Sequence, residues 1–172
     1  LILIASRPVG GRIMIENRLL SEVPLVLYLN EINNPSNLGA VIRTAEAAGI
    51  AGVMVSTNSA DAFSPKCLRA SMGSCFRLPV WEGVSFDEAL TFAGENGMDK
   101  TAASISGELP YSEADWRQPR LLFVGSEAHG LTTHQLAQAK DLIGIPMANG
   151  VESLNLAVSV GVILFEARRQ QK

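Results

Sequence analysis

Short apolar runs rich in β-branched residues alternate along this chain with stretches of helical period. Most of the runs lack polar alternation, which predicts strands that are buried on both faces. This pattern predicts one α/β domain, with a mostly parallel sheet flanked by helices. The predicted strands are 25–29, 52–56, 100–105, 121–125 and 142–146, and the predicted helices cover about 38–48, 86–97, a segment after Gly130, and 155–169.

The last predicted helix is apolar on two sides. Leu156, Val160 and Leu164 form one stripe, while Val158 and Phe165 lie on another. A helix that is apolar nearly all round is buried on all sides, and in a domain this small a subunit interface explains that best. The sequence therefore predicts a homodimer through the C-terminal helix.

The charge balance sets a constraint on partners. The chain has 172 residues, a net charge of −3 and no apolar run long enough (~18 residues) to span a membrane. Because a nucleic-acid binder usually presents a basic face, nucleic-acid binding would need a local basic patch or another domain. Arg7, Arg12 and Arg18 are interpreted as solvated linker charges rather than phosphate contacts.

The residues that most often bind metals show no metal-site spacing. Cys67 and Cys75 stand alone, and His129 and His134 are five residues apart outside any known motif. The two cysteines are interpreted as reduced, partly buried thiols of a cytoplasmic protein. No metal cofactor is expected.

The first segment that could carry chemistry opens a helix. Pro35, followed by Ser36 and Asn37, is a typical helix start, and Arg43 follows about two turns later. Taken alone, an arginine at a helix flank usually only extends to water.

Two further segments follow predicted strands. A glycine-flanked turn with Glu127 comes directly after 121–125, the position at which open α/β sheets bind ligands. After the strand 142–146, an aperiodic loop leads to Ser153 and Asn155, either of which could simply cap the last helix.

Together and in this order, these segments resemble the three motifs of the SpoU (TrmH-like) family of SPOUT methyltransferases. The matching patterns are Asn-x-Gly-Ala-x-x-Arg-Thr-Ala from Asn37, Gly-Ser-Glu-x-x-Gly-Leu from Gly125, and Ile-Pro-Met from Ile145 with Glu-Ser-Leu-Asn from Glu152. The stretch from Arg69 to Gly73 also fits the family's pattern, and the resemblance covers nearly the whole chain.

The resemblance implies a fold with a deep trefoil knot near the C-terminus, an exception to the rule that chains do not thread loops. It also implies an obligate homodimer. Larger relatives carry an N-terminal RNA-binding domain, so residues 1–20 are expected to be a linker or remnant of such a domain, and residues 21–172 the methyltransferase domain. The first residue, Leu1, is not Met, which agrees with a trimmed piece of a longer protein.

The activity implied by the resemblance is transfer of a methyl group from S-adenosylmethionine to a ribose 2′-hydroxyl of structured RNA. Ribosomal RNA is favoured over tRNA, and S-adenosylhomocysteine is the product. The matching catalytic positions are Arg43, Asn37, Glu127, Ser153 and Asn155, and the matching cofactor positions are Leu122, Gly125, Ile145, Met147, Ser153, Leu154 and Ala103. Because a guanidinium group keeps its proton in proteins, Arg43 is interpreted as a phosphate clamp that stabilises the developing alkoxide.

Two other functional classes agree less well with these segments. A non-enzymatic RNA- or cofactor-binding protein on the same scaffold is disfavoured, because a pseudo-enzyme would have lost some of the motif residues. A nucleotide- or dinucleotide-dependent enzyme is disfavoured because neither Gly-x-x-x-x-Gly-Lys-Ser/Thr nor Gly-x-Gly-x-x-Gly follows a predicted strand.

Overall fold

The computed structural model describes residues 7–8, 10–20 and 23–172. Within this part of the chain, seven strands form one sheet in which every paired strand is parallel, in the order β3-β2-β1-β6-β4-β7-β5. The predicted α/β class with a parallel sheet is confirmed. The strands are β1 (Val23–Leu29), β2 (Ile50–Ser56), β3 (Val80–Val84), β4 (Asp99–Ala103), β5 (Leu109–Pro110), β6 (Arg120–Val124) and β7 (Asp141–Gly144).

Helices cover both faces of this sheet. One apolar cluster joins the sheet to α2, α3 and α6, and a second joins it to α1, α4 and α5. The result is the three-layer arrangement that strand–helix alternation predicts. The helices are α1 (Arg12–Leu19), α2 (Pro35–Ala48), α3 (Pro65–Ser71), α4 (Phe86–Glu95), α5 (Thr133–Ala137) and α6 (Leu156–Gln170), and a 3₁₀ turn covers Ser74–Phe76.

The sheet has a topological switch between β1 and β6. From β1 the chain adds β2 and then β3 on one side, whereas β6 pairs with the other side of β1 and is followed by β4, β7 and β5. The loops that leave β1 and β6 therefore diverge at the carboxyl ends of the strands and leave a crevice between them. In open α/β sheets, ligands bind in such a crevice.

Helix α2 owes its position to its two ends and to one glycine. Asn34, which precedes the expected start at residues 35–37, caps its first turn by accepting from the backbone N–H of Ser36, and Gly49 ends it with a φ of 74°. A Cβ on Gly39 would lie 2.5 Å from the backbone oxygen of Cys67. Only glycine at position 39 allows α3 to pack this closely on α2.

The segment 1–20, expected to be a linker or remnant, includes a packed helix. Residues 12–19 form α1, whose Ile15 is fully buried against the sheet. Arg12 forms ion pairs with Glu16 and Glu95, and Arg7 pairs with Asp61. The side chains of Arg7 and Arg12 are therefore exposed, as expected, but they are ion-paired, and Arg12 belongs to a packed helix rather than to a linker. The division of the chain at residue 20 stays a prediction, and residues 1–6, 9, 21 and 22 lie outside the described residues.

The two cysteines are free and buried. The hydrogen bond between Cys67 and Cys75, together with burial, raises the pKa of the Cys67 thiol. The same hydrogen bond lowers the pKa of the Cys75 thiol, so it is Cys67 whose environment fits an inert structural thiol. None of the helices in the described ranges is long and apolar enough to cross a membrane.

A buried arginine connects three strands near their amino ends. Arg120, at the start of β6, is 4% exposed. It donates to the Thr101 hydroxyl at 2.6 Å and to the Asp115 backbone oxygen at 2.7 Å, and it forms an ion pair with Asp141. The guanidinium therefore links the first residue of β6 to β4 and β7. Strands β6 and β7 carry two of the three motif segments at their opposite ends.

Replacing Arg120 by Met should lower the free energy of unfolding by about 3–5 kcal/mol, because it leaves the partly buried Asp141 carboxylate without its cation. The matched control is Arg117→Met, which removes an exposed ion pair with Asp115 and should cost less than about 1 kcal/mol. Urea unfolding followed by circular dichroism measures both. Equal losses in the two variants would contradict the assigned role of Arg120.

Candidate functional site

The three motif segments meet at one carboxylate. Glu127 Oε2 accepts a hydrogen bond from Asn37 Nδ2 at 2.8 Å. Glu127 Oε1 accepts from Asn155 Nδ2 and from the backbone N–H of Leu156, both at 3.3 Å. A residue from each of the three motifs therefore belongs to one hydrogen-bonded cluster, called here the Glu127 cluster, beyond the carboxyl ends of β1 and β6.

Helix geometry explains why a carboxylate is stable in this position. Asn37 lies in the first turn of α2, and Leu156 is the first residue of α6. The partial positive charge at both helix N-termini favours an anion there, and the hydrogen bonds to it are charge-assisted. The two helices also pack along their length, since Arg168 donates to the Ala47 backbone oxygen at 2.8 Å.

The turn that presents Glu127 is tightly closed. The backbone N–H of Gly130 donates to the Ser126 oxygen at 2.9 Å, and that of His129 donates to Ser126 Oγ at 3.2 Å. A Cβ on Gly125 would lie 2.1 Å from the carbonyl carbon of Gly130. Gly125 is therefore required for the turn, whatever else its backbone contacts.

Arg43 is exposed on α2, about two turns after the helix begins. Across the described ranges, no hydrogen bond or ion pair joins its guanidinium group to another residue, although most arginines of the chain are paired. Its five N–H donors are therefore available to a ligand. The expected catalytic positions Asn37, Glu127 and Asn155 form one cluster, and Arg43 lies on the helix that this cluster anchors.

Several expected cofactor positions lie at the ends of neighbouring strands. Ala103 is the last residue of β4, Gly125 follows β6, and Ile145 follows β7. Since β4 lies between β6 and β7, and Ala103 pairs with Ile143, these ends share one edge of the sheet. Leu122 differs from them, because its side chain is fully buried two residues before the end of β6. A direct side-chain contact of Leu122 with a ligand at this edge is therefore excluded in this conformation.

The remaining positions are on the loop between β7 and α6. Met147 and Leu154 are each 36% exposed, so the loop presents apolar side chains to solvent. Ser153 is also exposed, and the described structure shows no hydrogen bond from it to another residue. Ser153 is therefore only two residues from Asn155 in the sequence, but it does not belong to the Glu127 cluster.

Sequence reasoning missed a buried polar pair that supports this edge. Gln135 of α5 donates to Asn30 Oδ1 at 3.0 Å, just beyond β1. The next residue, Glu31, has a φ of 57° and donates its N–H to Ser56 Oγ. The spacing of Thr132 and Gln135 marks a capping box, which signals α5 but not the link to Asn30.

A tyrosine beneath this edge has no role as a base. Burial raises the pKa of Tyr28 to about 12, and the negative charge of Glu31 acts in the same direction. The phenol therefore keeps its proton at neutral pH.

A separate cavity of about 340 Å³ lies beside the ends of β2 and β3. It is lined by hydroxyl groups and by Asp61 and Glu82, both of which pair with Arg7. These carboxylates already have a cationic partner. Elsewhere, the described residues contain no group of His, Cys, Asp and Glu that could hold a metal ion.

Comparisons with known proteins agree with the arrangement of the three segments. Residues 24–165 match the SpoU rRNA Methylase family. An uncharacterized tRNA/rRNA methyltransferase of Synechocystis sp. is 38% identical over 147 residues, which cover 86% of this chain and 54% of the relative. The chain spans about half the length of the curated relatives it matches.

Solved structures give the same result. An AdoMet-bound rRNA methyltransferase from Sinorhizobium meliloti superposes with a TM-score of 0.81 at 35% identity, covering 87% of this chain and 57% of that one. An RNA 2′-O ribose methyltransferase superposes with a TM-score of 0.78 at 33% identity, covering 98% of this chain and 60% of that one. The second of these likenesses covers nearly the whole chain.

Replacing Glu127 by Gln should loosen the start of α6, because it removes the negative charge that the helix N-terminus favours and leaves one acceptor oxygen where the carboxylate has two. Faster exchange of the Leu156 amide proton, measured by NMR, is the expected result. The control is Glu152→Gln, an exposed change on the adjoining loop that should leave this exchange rate unaltered. Unchanged exchange in Glu127→Gln would show that the carboxylate does not anchor the helix.

Proposed function

Since the chain belongs to the SpoU rRNA methylase family of RNA methyltransferases, we propose that it transfers a methyl group from S-adenosylmethionine to a ribose 2′-hydroxyl. Ribosomal RNA is the proposed substrate, with tRNA as the alternative. The Synechocystis relative is described as a tRNA/rRNA methyltransferase, which includes both RNA classes. The 2′-O position is supported by the similarity to an RNA 2′-O ribose methyltransferase.

The observation that carries the proposal is the Glu127 cluster. Methyl transfer needs the acceptor oxygen held in line with the methyl group, so catalysis depends mainly on positioning. Glu127 fixes Asn37 and the start of α6 at one point, while Arg43, about two turns further along α2, has no partner in the described structure. This arrangement provides an ordered polar site and, on the helix that it anchors, an available guanidinium group.

Each residue of the site has a proposed role. Arg43 binds an RNA phosphate, orients the ribose and stabilises the developing alkoxide, while phosphate or water assists proton removal. Asn37 and Asn155 are held by Glu127 and contact the ribose. Ser153 lies on the exposed loop and completes the site if that loop closes over the bound substrates.

The cofactor would bind where β4, β6 and β7 end. S-adenosylmethionine supplies an electrophilic methyl group on a sulfonium, so the acceptor needs no metal. Backbone groups at Gly125, Ile145 and Leu154 would hold its adenosine part, with Met147 as an apolar wall. The fit is supported by the exposed apolar side chains of this loop and by the closed turn after Gly125. Ala103 and the backbone of Leu122 would form the floor.

The wider assembly is also a proposal. The deep trefoil knot would involve the segments 121–131 and 145–156, which follow strands separated by β4 in the sheet. A homodimer through α6 is supported by its exposed apolar residues Val158 and Phe165. Residues 1–20 would lead from a preceding RNA-binding domain, and the free cysteines fit a cytoplasmic location.

Arg43→Ala should reduce the rate of methyl transfer to unmodified rRNA and tRNA transcripts at least ~100-fold, since Arg43 acts on the reacting oxygen. Its affinity for S-adenosylhomocysteine should change little. Alkaline hydrolysis of the methylated RNA should leave the label in a dinucleotide, because alkaline cleavage requires a free 2′-hydroxyl. Arg117→Ala, which alters an exposed arginine outside the site, is the control. Full turnover by Arg43→Ala would refute its role, and label in alkali-sensitive products would refute 2′-O specificity.

Val158→Asp should convert the dimer into a monomer, because it places a charge within the apolar stripe of α6. Sedimentation velocity measures the change. Ile105→Asp, at an 85% exposed loop position, should leave the dimer intact. A monomer formed by the unaltered chain would contradict the interface.

A further inference from the structure

Helix α3 carries a stripe of exposed cationic and apolar side chains next to α2, the helix that carries Arg43. Lys66, Arg69 and Met72 follow one another at three-residue spacing, so they lie along one side of α3 and its C-terminal cap. Met72 is 67% exposed, and Phe76, in the following 3₁₀ turn, is 54% exposed. These four residues are called here the α3 face.

The pairing of the arginines distinguishes Arg69 on this face from most others in the described ranges. Six arginines in the described ranges form ion pairs: Arg7, Arg12, Arg77, Arg117, Arg120 and Arg169. Arg168 instead donates to the Ala47 backbone oxygen. Arg43 and Arg69 are the arginines for which the described structure shows neither a hydrogen bond nor an ion pair, and Lys66 likewise has none.

The carboxylates around α3 are already neutralised. Asp61 and Glu82 pair with Arg7, and both carboxylate oxygens of Glu46 accept from Arg77, at 2.6 and 2.8 Å. Lys66 and Arg69 therefore add a positive potential that neighbouring acids do not cancel. A chain with a net charge of −3 thus has a local basic surface.

This surface lies beside Arg43. Gly39 brings α2 into direct backbone contact with α3, and Arg43 is one helical turn further along the same side of α2. An RNA strand with one phosphate on Arg43 would reach α3 within a few nucleotides, since single-stranded backbones extend by several ångströms per nucleotide.

We infer that the α3 face binds the RNA strand that flanks the reacting nucleotide, with Lys66 and Arg69 contacting phosphates and Phe76 stacking on an unpaired base. The Phe76 ring contacts Phe63 at a centroid distance of 6.0 Å, which fixes it from behind while its other side is exposed. Cations interleaved with an exposed aromatic ring fit unpaired RNA better than duplex. This inference rests on the proposed RNA substrate and names the surface that binds it.

The test uses the whole chain and two labelled RNA probes, a 20-nucleotide single strand of mixed sequence and the same strand in a duplex. Fluorescence anisotropy measures affinity between 50 and 200 mM salt. The double variant Lys66→Ala/Arg69→Ala should bind the single strand roughly tenfold more weakly, and the slope of log affinity against log salt should fall by about 1.4. S-adenosylhomocysteine affinity should stay unchanged, which shows that the fold is intact.

The charge-matched control is Lys100→Ala/Lys172→Ala, which also removes two cations without ion pairs in the described structure but lies away from α3. It should leave the salt slope close to that of the unaltered chain. Phe76→Leu keeps an apolar contact with Phe63 but removes the ring. It should weaken single-strand binding about fivefold while leaving duplex binding unaltered.

The outcomes separate the two proposals. If the unaltered chain binds RNA and both double variants show the same slope, the α3 face is not the binding surface, while the proposed function stands. If the unaltered chain binds S-adenosylhomocysteine but neither RNA probe, the inference is overturned together with RNA binding by this chain. Changed sedimentation without changed RNA affinity would identify the face as a contact between copies.

Discussion

The arrangement of the site depends on one carboxylate that is shared by two helix N-termini. Glu127 receives an amide hydrogen bond from the first turn of α2 and a backbone hydrogen bond from the first residue of α6. Without an anion there, the partial positive ends of both helices would face each other. The same interaction that orders the helices also fixes Asn37 and Asn155, so folding and the geometry of the site have a common cause.

The sheet determines where this carboxylate lies. The turn bearing Glu127 leaves β6 next to β1, at the switch point from which the chain spreads to both sides of the sheet. At the opposite ends of these strands, Arg120 holds β6 against β4 and β7. Polar networks therefore hold both ends of these strands, while Arg43 on α2 has no intramolecular partner in the described structure. This contrast is typical of a binding residue rather than a structural one.

Most of the fold could be predicted because the central strands are apolar and short. The sequence indicates β1, β2, β4, β6 and β7, whereas it misses β3 and β5. Strand β3 contains Glu82 and Gly83, which interrupt its apolar pattern, and β5 has only two residues. Helix α3 was also missed, although Ser64 and Pro65 are a typical helix start, because its seven residues are too few for a periodic signal.

The site could be predicted in part, and the reasons are physical. Asn37, Glu127 and Asn155 belong to recognisable segments, and the structure brings their side chains together. The order of strands, which puts β6 beside β1, depends on pairing across the whole chain and has no local signal. The same holds for Asn30 and Gln135, which are 105 residues apart. The local basic surface on α3 was also hidden, because net charge does not reveal which arginines are paired.

The most direct test of the account is calorimetric titration of the purified chain with S-adenosylhomocysteine, with ATP and NAD as controls. The account places the cofactor where β4, β6 and β7 end, on residues of this chain alone. It therefore predicts selective binding of S-adenosylhomocysteine that saturates at one ligand per chain. A folded chain that binds ATP or NAD instead, or none of the three, would contradict a methyltransferase site at this edge of the sheet.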